Sequence, residues 1–120
     1  MSANSTAIDQ RRAQRKRVDF TAVVTNVITG QPMAYLGNLS ITGMLLISTE
    51  PPRSDAVYQV SVGLPGLGSG LQAIELGIQV QWQTTAASPG QIWAGYRIIA
   101  ITNDDAALLN SWLELPGSYV

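Results

Sequence analysis

The sequence predicts a mainly β protein: a small six-stranded antiparallel β-barrel with a C-terminal α-helix and a flexible N-terminal arm. Three observations lead to this fold. Runs rich in β-branched and other apolar residues recur at hairpin spacing between turn residues. Six such runs lie between residues 18 and 101, and most have one apolar face, which favours closure into a barrel. The last apolar stretch changes to helical spacing.

The six strands follow one another through short links that contain glycine or proline. In the run 74–83 every second residue from Ile74 to Trp82 is apolar, which is the period of a strand with one buried face. Trp82 is therefore expected in the core. The other five strands are predicted over residues 18–28, 33–39, 44–48, 57–64 and 92–101.

The C-terminal segment is predicted to be a helix. Thr102 or Asn103 can cap it, and Asp104 and Asp105 suit its positive N-terminal end. Pro116 with the following glycine ends it. Its apolar stripe consists of Leu108, Leu109, Trp112, Leu113 and Leu115.

The length of 120 residues fits one domain. We expect a disordered N-terminus over residues 1–10, a basic arm over 11–17, the barrel with its helix over 18–115 and a tail over 116–120. Only 12% of the residues are charged, and such a surface makes a homodimer an alternative to a monomer.

The composition argues against enzymatic activity. The chain has no cysteine and no histidine, which excludes disulfides, thiolate metal sites, most zinc, copper and haem sites, and catalysis by Ser-His-Asp or Cys-His. No pair of acidic residues has a recognisable catalytic spacing. We therefore predict a binding protein without a metal or cofactor.

The same sequence predicts a cytoplasmic protein without membrane insertion. No apolar run approaches the roughly 20 residues of a membrane span. The N-terminus also lacks the apolar region of a signal peptide.

The basic residues are concentrated in the arm, although the net charge is −1. An arginine guanidinium pairs with phosphate oxygens through a rigid fork and can also bind the edge of guanine. The alternative for a basic run alone is a solubilising tail or a nonspecific contact with polyanions. The arm contains Arg11, Arg12, Arg15, Lys16 and Arg17.

A short polar turn, NLSITG, is predicted between the second and third strands. Asn38, Ser40 and Gly43 provide two hydrogen-bonding side chains and a position that permits either a positive φ or the close approach of a ligand. An ordinary turn is the alternative, because these residue types favour turns for local reasons.

Together these features resemble the PilZ domain family over about residues 11–115. Arg11 and Arg15 have the family's RxxxR spacing, and Asn38, Ser40 and Gly43 match its [D/N]xSxxG motif. The segments 80–82 and 94–99 are similar to later strands of the family. The resemblance implies a receptor that binds the bacterial second messenger cyclic di-GMP through both motifs.

The resemblance leaves several residue assignments open. Aligned on the start of the first strand, Arg17 replaces Arg15 as the second arginine and Ala13 takes the first position. Arg12 and Arg17 would supply further phosphate or base contacts. Trp82 would stack on a purine if it is not in the core. Arg97 would either add a cation near the ligand or be solvated.

The resemblance also implies a mechanism. Ligand binding would order the arm against the barrel, and an unidentified effector protein would recognise the new shape. The alternative is a PilZ-type protein-interaction adaptor that binds no nucleotide. Binding of RNA or DNA ranks third, because the basic charge is confined to the arm and is not spread over a sheet with interleaved aromatic residues.

Overall fold

The computed structural model describes residues 14–119. Arg11, Arg12 and the segment 1–10 predicted to be disordered lie outside these residues. The described chain forms seven strands and one helix, all bounded as follows: β1 Lys16–Arg17, β2 Val23–Asn26, β3 Pro32–Leu39, β4 Gly43–Ser48, β5 Val57–Leu64, β6 Gln72–Thr85, β7 Ile92–Ala100 and α1 Asn103–Glu114.

Six of these strands form a closed antiparallel barrel. Its order is β2, β3, β4, β7, β6 and β5, and β5 pairs with β2 to complete the ring. The short β1 is an additional strand that pairs with β3. The predicted six-stranded barrel with one C-terminal helix is therefore confirmed.

The core lies inside the barrel and is extended by the helix. Ile74, Leu76 and Ile78 of β6 are completely buried, as their alternation predicts. The helix α1 packs against β6 and adds Leu109 and Trp112 to the same core. Thr102 is its N-cap, because its hydroxyl accepts the N–H of Asp105 at 3.2 Å.

Of the predicted first strand, 18–28, only Val23–Asn26 forms a strand, which is β2. The chain bends at Phe20, and the Phe20 ring meets the Trp112 ring edge-on at 6.3 Å between centroids. Backbone bonds to β3 continue on both sides of the bend: Val18 N–H donates to Gly37 O at 3.1 Å, and Leu36 N–H donates to Ala22 O at 2.9 Å. The bend thus brings an aromatic residue to the helix without separating the chain from β3.

Trp82 is not in the core, and that prediction is wrong. Val80 pairs with Tyr96 but Trp82 pairs with Gly95, so Gln81 is an extra residue in a β-bulge. The bulge reverses the alternation, and 49% of Trp82 is exposed on the outer surface. Its indole lies against Gly95, where a Cβ would overlap the ring.

The predicted tail over residues 116–120 pairs with β1 as far as Tyr119. Arg17 N–H donates to Ser118 O at 2.8 Å, and Tyr119 forms an isolated antiparallel bridge with Lys16. The Tyr119 hydroxyl donates to Leu113 O at 2.6 Å. The two ends of the described chain therefore meet beside the end of α1. No helix within residues 14–119 is long and apolar enough to cross a membrane.

Candidate ligand-binding site

The turn between β3 and β4 is held by the hydroxyl of Ser40. This side chain is fully buried, and its Oγ accepts the N–H groups of Thr42 at 3.2 Å and Gly43 at 3.1 Å. The same hydroxyl lies 3.2 Å from Gly43 O, to which it donates. A serine hydroxyl has one donor and two acceptor sites. The turn itself therefore uses the whole hydrogen-bonding capacity of Ser40.

Gly43 is required by a close approach of two strands. It pairs with Arg97 across β4 and β7, and a Cβ at Gly43 would lie 2.5 Å from the backbone oxygen of Tyr96. Its φ is not among the positive values found at other glycines. The close approach of β7 therefore accounts for the glycine, whereas the sequence suggests a positive φ or the close approach of a ligand.

Arg15 connects the arm to this turn. Its Nη1 donates to Asn38 Oδ1 at 3.3 Å, across 23 residues of sequence. Its Nη2 lies 3.3 Å from the position that a Cβ of Gly43 would occupy. The guanidinium thus covers the glycine and contacts the asparagine. Arg15 and Asn38, which are far apart in the chain, thus meet at one place.

The guanidinium of Arg15 is partly buried and therefore partly desolvated. Burial lowers the pKa of its guanidinium. An arginine ordinarily titrates so far above neutral pH that it keeps its charge. A partly desolvated cation that retains its charge interacts more strongly with an anion than a fully solvated one does.

Asn38 is 8% exposed and lies beneath the arm. Its one side-chain oxygen accepts the bond from Arg15, which leaves its NH2 group as a donor for a ligand oxygen or nitrogen. Asn38 is also the pairing partner of Arg17 in β1 and of Leu45 in β4.

Arg17 and Lys16 point to opposite sides of β1. Arg17 is exposed beside Asn38, whereas Lys16 is only 4% exposed. The Lys16 Nζ donates to Trp112 O at 2.6 Å and Leu115 O at 2.9 Å, and it lies 4.3 Å from the centre of the Trp112 ring. Burial lowers the pKa of Lys16, and the charge of Asp19 offsets part of this effect.

This role of Lys16 is not predicted by the sequence analysis. The helix α1 has no basic residue in its last turn. Lys16, from the other end of the chain, supplies the cation and the donors that a helix C-terminus favours. Two features point to this role. The last turn of the helix has no basic residue, and the strand alternation separates Lys16 from its neighbouring arginines.

One row of paired residues joins this site to Trp82 across the outer surface. Each member pairs with the next on the neighbouring strand, and adjacent strands lie about 4.8 Å apart. Asn38 and Trp82 are therefore separated by roughly 14 Å, or three strand spacings. The row consists of Arg17, Asn38, Leu45, Gly95 and Trp82.

A small antiparallel barrel with a cationic arm over a glycine turn defines a binding domain rather than a catalytic one. The sequence matches the PilZ domain family over residues 9–115, and the chain belongs to that family. PilZ domains are not enzymes. Within residues 14–119, no group of three or more acidic side chains is placed to hold a metal ion.

Solved structures show the same fold at low sequence identity. The inhibitor of motility of Bacillus subtilis (MotI/DgrA) has a TM-score of 0.67 and 16% identity, over 84% of this chain and 48% of that chain. This chain thus spans about half the length of the Bacillus protein. The PilZ domain of YcgR from Escherichia coli, solved with c-di-GMP, has a TM-score of 0.58 and 14% identity. The match covers 84% of this chain and 86% of that chain. A search of curated protein sequences found no match.

Proposed function

We propose that this domain is a receptor for cyclic di-GMP, which it binds between the basic arm and the turn from Asn38 to Gly43. The observation that carries this proposal is the position of Arg15, which contacts Asn38 and covers Gly43. The structural likeness to the Escherichia coli PilZ domain solved with c-di-GMP supports the same ligand.

The two motifs would contribute different chemistry. Arg15, with Arg11, Arg12 and Arg17, would pair with phosphodiester oxygens or a guanine edge through guanidinium forks. Asn38 would donate from its NH2 group. Ser40 would shape the turn rather than contact the ligand, because its hydroxyl is already bonded within it. Gly43 would let the ligand and the arm approach the backbone.

A signal would pass through β1. Arg15 and Arg17 are adjacent to Lys16, which is bonded to the end of α1. A ligand that repositions these arginines therefore acts on a strand that contacts the helix end and the C-terminal segment. The changed surface would be recognised by an effector protein. A cytoplasmic location, expected from the sequence, is part of this proposal, and a homodimer stays an alternative to a monomer.

Calorimetric titration with cyclic di-GMP tests the proposal directly. The wild type should bind and should melt at a higher temperature with ligand. Arg15→Ala should weaken binding at least tenfold, because it removes a charge-assisted contact. Raising the salt concentration should weaken binding to the wild type, since the contacts are partly exposed.

Arg53→Ala is the matched control. Arg53 is exposed in the loop after β4, at the opposite end of that strand from Gly43, so its loss removes the same charge away from the turn. Its affinity should equal that of the wild type. If the wild type shows neither heat nor a change in melting temperature, the receptor proposal is wrong. Competition by unrelated oligonucleotides would instead favour nucleic-acid binding.

The second candidate function is an adaptor that binds a protein without nucleotide. An uncharged row on the outer surface favours it: Tyr35 pairs with Ile47, Ile47 pairs with Trp93, and both aromatic residues are exposed. The structural likeness to the Bacillus inhibitor of motility supports it as well. A wild type that binds no cyclic di-GMP would leave this candidate as the better one.

A further inference from the structure

We propose that Arg97 of β7 is a further ligand-binding residue, which contacts a phosphodiester of the nucleotide from the strand that pairs with Gly43. This inference rests on the proposed function and adds a residue that lies in neither motif. Three observations carry it: the position of Arg97 beside Gly43, its uncharged surroundings, and its place between the turn and Trp82.

Arg97 is the pairing partner of Gly43. The preceding residue, Tyr96, is 3% exposed and faces the core, so Arg97 faces outwards on the next position of the strand. The Arg15 guanidinium lies over Gly43, with its Nη2 atom 3.3 Å from the position that a Cβ would occupy. Paired residues on adjacent antiparallel strands are about 5 Å apart. Two arginines from opposite ends of the chain thus flank one glycine.

The outward-facing positions around Arg97 carry no charge. Its partners on the two neighbouring strands are Gly43 and Gln79, and the next outward positions on its own strand are Gly95 and Ile99. A carboxylate at one of these positions would neutralise Arg97 in a cross-strand pair. In its absence, the positive potential of Arg97 adds to that of Arg15, and an anion between them is favourable.

The position of Arg97 also fits the size of the proposed ligand. Arg97 is two residues from Gly95, or about 7 Å along the strand. Gly95 lies in the row that connects Asn38 to Trp82. The Trp82 indole lies over Gly95, so a dinucleotide that extends from the turn to this indole passes over Leu45, within reach of the Arg97 side chain.

The chemistry favours a phosphate oxygen as the group bound. A cyclic dinucleotide carries two anionic phosphodiesters. The arginines of the arm approach the ligand from one side and can pair with one phosphodiester, which leaves the other without a cation. A guanidinium on the opposite strand can pair with the second, with two parallel N–H donors. Since Arg97 is exposed, the contact is partly screened, and its loss should cost about tenfold in affinity.

The test compares Arg97→Gln, Arg97→Lys and the control Arg53→Gln by calorimetric titration with cyclic di-GMP. Arg97→Gln should bind about tenfold more weakly than the wild type, and its affinity should depend less on salt concentration. Arg97→Lys keeps the charge and should lose less affinity than Arg97→Gln. Arg53→Gln should bind as the wild type does. Without ligand, Arg97→Gln should melt no lower than Arg53→Gln, because Arg97 is exposed.

Two results would overturn the inference while the proposed function stands. In the first, Arg97→Gln binds cyclic di-GMP as tightly as Arg53→Gln, although Arg15→Ala has lost affinity. In the second, Arg97→Gln has a lower melting temperature than Arg53→Gln in the absence of ligand. The second result would show that Arg97 stabilises the folded protein and affects binding only through that stability. A wild type that binds no cyclic di-GMP would overturn both the inference and the proposed function. The two failures are therefore distinguishable in one set of titrations.

Discussion

The two halves of the candidate site are held in different ways. The turn from Ser40 to Gly43 is fixed by its own hydrogen bonds and by β7, which lies against Gly43. The arm ends in a strand of two residues, β1, and depends on Lys16 for its connection to the helix. The turn is thus a rigid part of the barrel, whereas the arm is joined to it by a few long-range contacts.

Within the arm, neighbouring residues of the same charge have separate functions. Arg15, Lys16 and Arg17 are consecutive cations, yet the alternation of β1 sends the lysine to the helix end and leaves Arg17 outside. Ordering of an arm costs conformational entropy, which reduces the affinity of whatever it binds. Contacts made by Lys16 lower this cost because they hold the strand in place.

The largest effect is expected for Lys16→Met. The substitution keeps the length of the side chain but removes one buried hydrogen bond, one partly buried hydrogen bond and the contact with the Trp112 ring. Bonds to charged donors contribute about 1.5–3 kcal/mol each, and the cost of burying the charge is removed at the same time. The free energy of unfolding, measured with urea, should fall by roughly 3 kcal/mol, with faster amide exchange at Arg17.

Arg17→Met is the control for that substitution, because Arg17 is exposed on the same strand. It should change the stability by less than about 0.5 kcal/mol. Equal stability of the two variants would contradict the idea that Lys16 fastens the arm.

A smaller effect is expected for Gly43→Ala. The new Cβ would lie 2.5 Å from the backbone oxygen of Tyr96, so β4 and β7 must separate. Overpacking of this kind costs about 1–3 kcal/mol. The melting temperature should fall, and affinity for cyclic di-GMP should fall with it. Gly37→Ala is the control, because its Cβ would meet only the ends of the flexible Leu45 and Ile47 side chains. A Gly43→Ala variant as stable as Gly37→Ala would contradict the rigid-turn interpretation.

Much of the fold could be predicted because its signals are local. The apolar alternation of β6 and the capping residue Thr102 are visible in the sequence, and the structure agrees with both. The turn was predictable for the same reason, since six consecutive residues define it. Trp82 was misassigned because a single bulge at Gln81 reverses an alternation, and nothing in the local pattern marks the extra residue.

The residues of the site could be predicted from local motifs, but the contacts between them could not. Arg15 and Asn38 belong to motifs whose order in the chain indicated a shared site, but only the barrel shows that the two side chains touch. Lys16 bonds to Leu115, 99 residues later, and neither residue alone indicates the other. Long-range contacts of this kind depend on strand pairing, which one sequence does not specify.

The smallest effect on stability is expected for Ser40→Ala. This substitution distinguishes a serine that holds the turn from a serine that contacts the ligand. The substitution leaves the N–H groups of Thr42 and Gly43 without their acceptor. One is buried and one is near the surface, so we expect the unfolding free energy to fall by about 1 kcal/mol. Thr42→Ala is the control, because Thr42 is exposed and its hydroxyl contacts only Ser40. If Ser40 acts through the turn, the loss of affinity should accompany the loss of stability. A Ser40→Ala protein with wild-type stability and weak binding would instead show a direct contact between Ser40 and the ligand.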